Sequence, residues 1–190
     1  MESCITFKNL SIGYRPKHQL RVIASAVSAS LHPGELTCLI GANGVGKSTL
    51  LRTLCGFQPA LDGEILLQNR PLSTYPAQQL ARQIGVVLTS RIDVPQLSVK
   101  EIVGIGRSPY TNFWGTLTPA DQQIVDEAIH QVGIPHLAQR NISELSDGER
   151  QKTMIAKALA QQTRIIILDE PTAFLDFPSK VETLQMLRRL

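Results

Sequence analysis

Apolar and polar positions alternate along residues 4–10 (CITFKNL), 22–31 (VIASAVSASL) and 64–68 (EILLQ), with HPG and DG turn signals nearby. A period of two predicts half-exposed antiparallel strands. Two other runs, 36–40 (LTCLI) and 165–168 (IIIL), are short and continuously apolar. That pattern predicts parallel strands covered on both faces. Between these runs the spacing turns helical. The stretch 118–133 (TPADQQIVDEAIHQVG) opens with Thr118 as N-cap, Pro119 at the first helical position and Asp121 in the first turn. It then places Ile124, Ala128 and Ile129 on one face before Gly133 ends it. A shorter helix is predicted over 98–106 and another from Glu149 to about Gln161. The stretch from 92 to 158 thus reads as a helical insertion in an α/β core, with no internal repeat and no sustained heptad.

Composition narrows the class only a little. At 190 residues, 43% hydrophobic and 18% charged, the chain has the makeup of one globular domain. Its net charge of +3 comes without any basic block, so charge gives nucleic acid no support as a partner. Three cysteines, Cys4, Cys38 and Cys55, make an odd number without C-x-x-C spacing, which favours reduced thiols over a disulfide framework or a zinc site. The first residues lack a continuous apolar signal region, and no apolar stretch approaches the ~20 residues of a membrane helix. The expectation is a protein that meets a membrane only through another protein.

The chemistry-bearing residues come in three groups. Gly41, Ala42, Asn43, Gly44, Val45, Gly46, Lys47, Ser48 and Thr49 (GANGVGKST) match G-x-x-x-x-G-K-[ST] between a predicted strand and a predicted helix. Glycines let successive N–H groups face a phosphate, Lys47 reaches the β and γ groups, and the Ser48 hydroxyl suits Mg²⁺. The second apolar run ends in Asp169 and Glu170. Asp169 suits the metal through water, and Glu170 suits a base that polarises a water for attack on the γ-phosphate. The third group is 145–151, LSDGERQ, a small polar residue and a glycine ahead of a helix, where unpaired N–H groups and the helix dipole favour an anion. Taken by itself this stretch reads first as a plain helix N-terminus capped by Ser146.

The order GANGVGKST, LSDGERQ, IIILDEPTAFLD resembles the ATP-binding subunit of an ABC transporter from the first strand to the end of the chain. The resemblance implies a P-loop NTPase (RecA-like) core of α/β class with an N-terminal antiparallel β subdomain and a helical insertion. It implies ATP and Mg²⁺ as cofactors, Ser48 and Asp169 at the metal, and Glu170 as the catalytic base. In that family two subunits face head to tail, so Ser146 and Gly148 would touch the γ-phosphate held by the partner copy. Asp147 and Glu149 depart from the usual Gly and Gln of that loop. Tyr14 matches the aromatic that stacks on adenine, and Asp176 matches a loop at the dimer interface. Where the family usually has a Gln after the strand IGVVLTS, this chain has Thr89.

The segments VKEIVGIGRSPY and WGTLTPAD resemble importer subunits for iron siderophores, haem and vitamin B12. That resemblance implies a cytoplasmic protein peripheral on the cell membrane, bound to integral permease subunits and served indirectly by a substrate-binding protein, with no nucleic acid. The family also places a γ-phosphate-contacting His after a further core strand. His18, His32, His130 and His136 all precede Asp169, so the chain is expected to be a C-terminally truncated subunit. An ABC-type ATPase of DNA repair or translation is the alternative; the short span between motifs and the lack of heptads argue against it. A small P-loop GTPase or kinase is a third reading; no N-K-x-D occurs, and neither class explains LSDGERQ.

Overall fold

A computed structural model of the chain describes residues 3–15, 20–89 and 96–190. The chain forms two compact units, residues 1–77 and 78–190.

The first unit is built on a four-stranded antiparallel sheet. Its strands are β1 (Ile5–Tyr14), β2 (Arg21–Leu31), β3 (Asp62–Leu67) and β4 (Arg70–Pro71), in spatial order β2-β1-β3-β4. Helix α1 (Lys47–Leu54) follows the glycine-rich loop and buries Leu50 and Leu54. The three strands expected from alternation are present, but β1 runs four residues further than the pattern suggests, because its phase changes midway. Ile5 and Phe7 point inward, then Leu10 and Ile12 do, and the register shifts between Phe7 and Leu10. Asn9 absorbs the extra residue at φ +49° and donates its N–H to the Ser28 hydroxyl. A β-bulge of this kind lets one strand bury two out-of-phase sets of side chains.

The segment 36–40 departs from the expectation of a buried parallel strand. It enters neither sheet of the described residues, and Leu36, Leu39 and Ile40 are 65, 47 and 90% exposed. A parallel strand needs hydrogen-bonded neighbours and covering layers on both sides. An apolar run asks for that cover without supplying it.

The second unit holds the parallel pair β5 (Ile84–Val87) and β6 (Ile165–Leu168), in register Val87 to Leu168. Its helices are α2 (Ala77–Ala81), which starts at the unit boundary, α3 (Val99–Gly104), α4 (Pro119–Gln131), α5 (Asp147–Ala160) and α6 (Phe177–Arg189). The parallel reading of 165–168 holds, although only Ile167 is fully buried. Residues 90–95, which include the start of the stretch expected as a helical insertion, lie outside the described residues.

Three of these helices begin alike. Ser98, Thr118 and Ser146 each accept from the backbone N–H three residues on, while Glu101, Asp121 and Glu149 reach back to the cap backbone. The capping box satisfies two N–H groups that the helix itself leaves unpaired. The apolar faces of α3, α4 and α5 then close one core containing Val99, Ile102, Val103, Val125, Ile129 and Ile155. A buried ion pair crosses this core. Arg107 Nε donates to Asp121 Oδ1 at 2.8 Å, and its Nη1 donates to the Ala160 carbonyl at the end of α5 and to Gln162. Tyr110 lies 4.1 Å beneath the same guanidinium.

Candidate nucleotide site

In the first unit, residues 41–49 form a loop that turns directly into α1. Gly44 and Gly46 have φ of +81° and +109°, where a side chain is strained. At Gly46 space adds to strain, since a Cβ there would stand 2.5 Å from Ile23 Cγ2. Because Gly46 is the N-cap residue, α1 starts without a side-chain cap. The positive end of its dipole is thus aimed at the loop, which is the arrangement that receives phosphate. The Lys47 ammonium arches over the same loop and donates to the carbonyls of Gly41 and Ala42 at 2.9 and 3.0 Å. Gly41, Ala42, Asn43, Gly44 and Val45 are exposed, Lys47 and Ser48 half-buried, and Thr49 buried. Tyr14, 43% exposed at the end of β1, sets its phenol oxygen 3.1 Å from Thr49 Oγ1. The structure therefore brings the aromatic expected at adenine to the first turn of the P-loop helix.

In the second unit, β6 delivers Asp169 and Glu170. The Asp169 N–H donates to the Val87 carbonyl, extending the parallel ladder by one bond, and Asp169 is buried. Glu170 turns out of the strand at φ +51° and is exposed; its carbonyl accepts from Ala173 N–H. It shares a small cavity with Thr89, Asp147, Arg150 and Phe174. Thr89 does something its place in the sequence does not announce. Its hydroxyl donates to the backbone carbonyl of Asp169 at 2.8 Å.

Ser146 and Gly148 open α5. The Ser146 hydroxyl donates to a Glu149 carboxylate oxygen at 2.8 Å and accepts from the Glu149 N–H. The Ser146 N–H donates to the same carboxylate oxygen at 2.8 Å, and this bond, with that of the hydroxyl after it, holds the Glu149 carboxyl below the ordinary range for glutamate. So the Glu that departs from the expected Gln has a structural duty in this chain. Gly148 faces Ser179 on α6, and a Cβ there would lie 3.0 Å from the Ser179 hydroxyl oxygen. Asp176 caps α6 by accepting from the Ser179 N–H; the Ser179 hydroxyl, and after it that N–H, lower its carboxyl in turn. Glu149→Ala removes one half of the capping box, and we expect it to cost about 1 kcal/mol in thermal unfolding. Glu149→Gln keeps the acceptor and should cost less.

Known proteins share this fold. The family described as ABC transporter matches residues 24–173. An ABC transporter ATP-binding protein of Methanocaldococcus jannaschii, itself uncharacterized, is 40% identical over 96% of this chain and 62% of its own length. The iron(3+)-hydroxamate import ATP-binding protein of Bacillus subtilis is 35% identical over 98% of this chain and 68% of its own. The chain thus spans about two thirds of the length of these relatives. A metal-chelate type ABC transporter solved in an inward-facing conformation superimposes with a TM-score of 0.83 at 31% identity, covering all of this chain and 69% of that one. The α/β fold and the P-loop are therefore those of an ATP-binding cassette, and the chain belongs to the ABC transporter family.

Proposed function

We propose that the chain binds ATP on residues 41–49 and hydrolyses it with Glu170, as the ATP-binding subunit of an importer for an iron-siderophore, haem or cobalamin. One observation carries the nucleotide reading. The loop before α1 is shaped by Gly44 and Gly46 to leave the helix start open to an anion, with Lys47 above it. Ser48 and Asp169 supply the hard oxygen donors that suit Mg²⁺, which when bound neutralises charge on the β and γ groups. Tyr14 stacks on the adenine.

Support for the importer class comes from relatives whose names specify iron-chelate import and from the metal-chelate type transporter. On this reading two copies close head to tail, with Ser146 and Gly148 of one against the γ-phosphate of the other and Asp176 beside the interface. Permease subunits in the membrane receive the pair, and a substrate-binding protein feeds the permease from the other side. No helix of the described residues is long and apolar enough to cross a membrane, which suits a peripheral place on the cytoplasmic face. Nucleic acid has no role.

Lys47→Ala is the direct test. A charge-assisted contact to a phosphate is worth about 1.5–3 kcal/mol, so affinity for MgATP should fall about 10- to 100-fold, measured by calorimetry or a fluorescent analogue. Affinity equal to the parent's refutes the phosphate site.

A further inference from the structure

We infer that Thr89 is a positioning residue for hydrolysis: its hydroxyl fixes the peptide between Asp169 and Glu170 and so aims the Glu170 carboxylate. The inference rests on the reading of Glu170 as the base and on the ladder between β5 and β6. With Val87 opposite Leu168, the Asp169 N–H reaches the Val87 carbonyl. A parallel ladder continued one step would have residue 171 donate to the carbonyl of residue 89. Residue 171 is Pro, with no N–H to give, so regular pairing stops just where Glu170 must leave the strand. The Thr89 side chain takes over at that point, donating to the Asp169 carbonyl at 2.8 Å.

The Asp169 residue is thereby held at both ends, its N–H by Val87 and its C=O by Thr89. Directly after it comes a non-glycine residue in the left-handed region, Glu170 at φ +51°. Such a conformation costs of order 1 kcal/mol or more and persists only where neighbours fix it. The Thr89 bond on the preceding carbonyl and the Ala173 N–H on the Glu170 carbonyl bracket the strained residue. With the backbone bracketed, the carboxylate leaves from a defined direction, which a base acting on one water requires. Thr89 acts on the reaction through this peptide and touches no reacting atom.

The experiment compares the parent protein with Thr89→Val, Thr89→Ser and Glu170→Gln in single-turnover hydrolysis at saturating MgATP. Affinity for ATP and hydrogen exchange at the Ala173 amide are measured alongside. Val keeps the shape and loses the hydroxyl, so hydrolysis should slow about tenfold with ATP affinity unchanged, and Ala173 should exchange faster. Ser keeps the hydroxyl and should restore both. A Val variant with the parent's rate and exchange overturns the inference, and so does a Ser variant as impaired as Val. If Glu170→Gln hydrolyses like the parent, the reading of the base fails instead. The exchange comparison of Val with Ser then still decides whether Thr89 fixes the turn.

Discussion

Glu170→Gln should bind MgATP as the parent does and hydrolyse it about a hundred- to a thousandfold more slowly. The amide keeps the length and shape of the side chain, so the turn at Glu170 and its bond to Ala173 are undisturbed. The variant loses a basic oxygen able to draw a proton from the attacking water, and a positioned base contributes within that range. Binding contacts come from Lys47, Ser48 and the loop N–H groups, none of which the substitution touches. ATP should therefore persist uncleaved, and a head-to-tail pair held by it should accumulate. Phosphate release and gel filtration with ATP read the two effects separately. A variant that keeps its rate to within tenfold places the base elsewhere in the chain.

Arg107→Met is the substitution expected to cost most in stability. The guanidinium is buried, pairs with Asp121, and holds the Ala160 carbonyl at the end of α5, so one side chain ties the turn that follows α3 to α4 and α5. Removing one member of a buried pair leaves the other charge without its partner, at a cost of about 3–5 kcal/mol. Met fills the space without replacing the bonds. Chemical denaturation should show the loss, and Arg107→Met with Asp121→Leu should recover part of it, since no stranded charge remains. The same pair predicts a pH response. The Thr118 hydroxyl, and after it Arg107, hold the Asp121 carboxyl down at about 2, below the ordinary ~3.9. A depressed carboxylate adds stability that is complete above its unfolded value and is lost as pH falls through the folded one. The second unit should therefore weaken between about pH 4 and about pH 2, and Asp121→Asn should flatten that part of the profile. Unchanged acid sensitivity in the Asn variant assigns the effect to other carboxylates.

Much of the candidate site is legible in the residues themselves. GANGVGKST states both the phosphate loop and its helix, because glycine's freedom and the helix start are properties of adjacent positions. Thr118, Pro119 and Asp121 state where a helix begins, and Ser146 does so within a motif that also carries another meaning. The role of Arg107 is not legible in this way. The signal in the chain is an arginine in an otherwise apolar stretch and an acid already placed at a helix start. Neither shows that the two meet.

Features that depend on a few neighbouring residues are readable along the chain. The start of the helix at Thr118, the side-chain alternation of the strands and the glycine pattern of the P-loop all arise over short spans, whereas α5 begins at Asp147, two residues ahead of the expected Glu149. Features that depend on distant partners emerge once the chain has folded. Thr89 and Asp169 stand 80 positions apart, and Arg107 and Ala160 stand 53 apart. Nothing in either residue's surroundings in the chain names the other. The segment 36–40 is the sharpest case, because an apolar run records a demand for burial while the strand exists only when another segment supplies the hydrogen bonds and the cover.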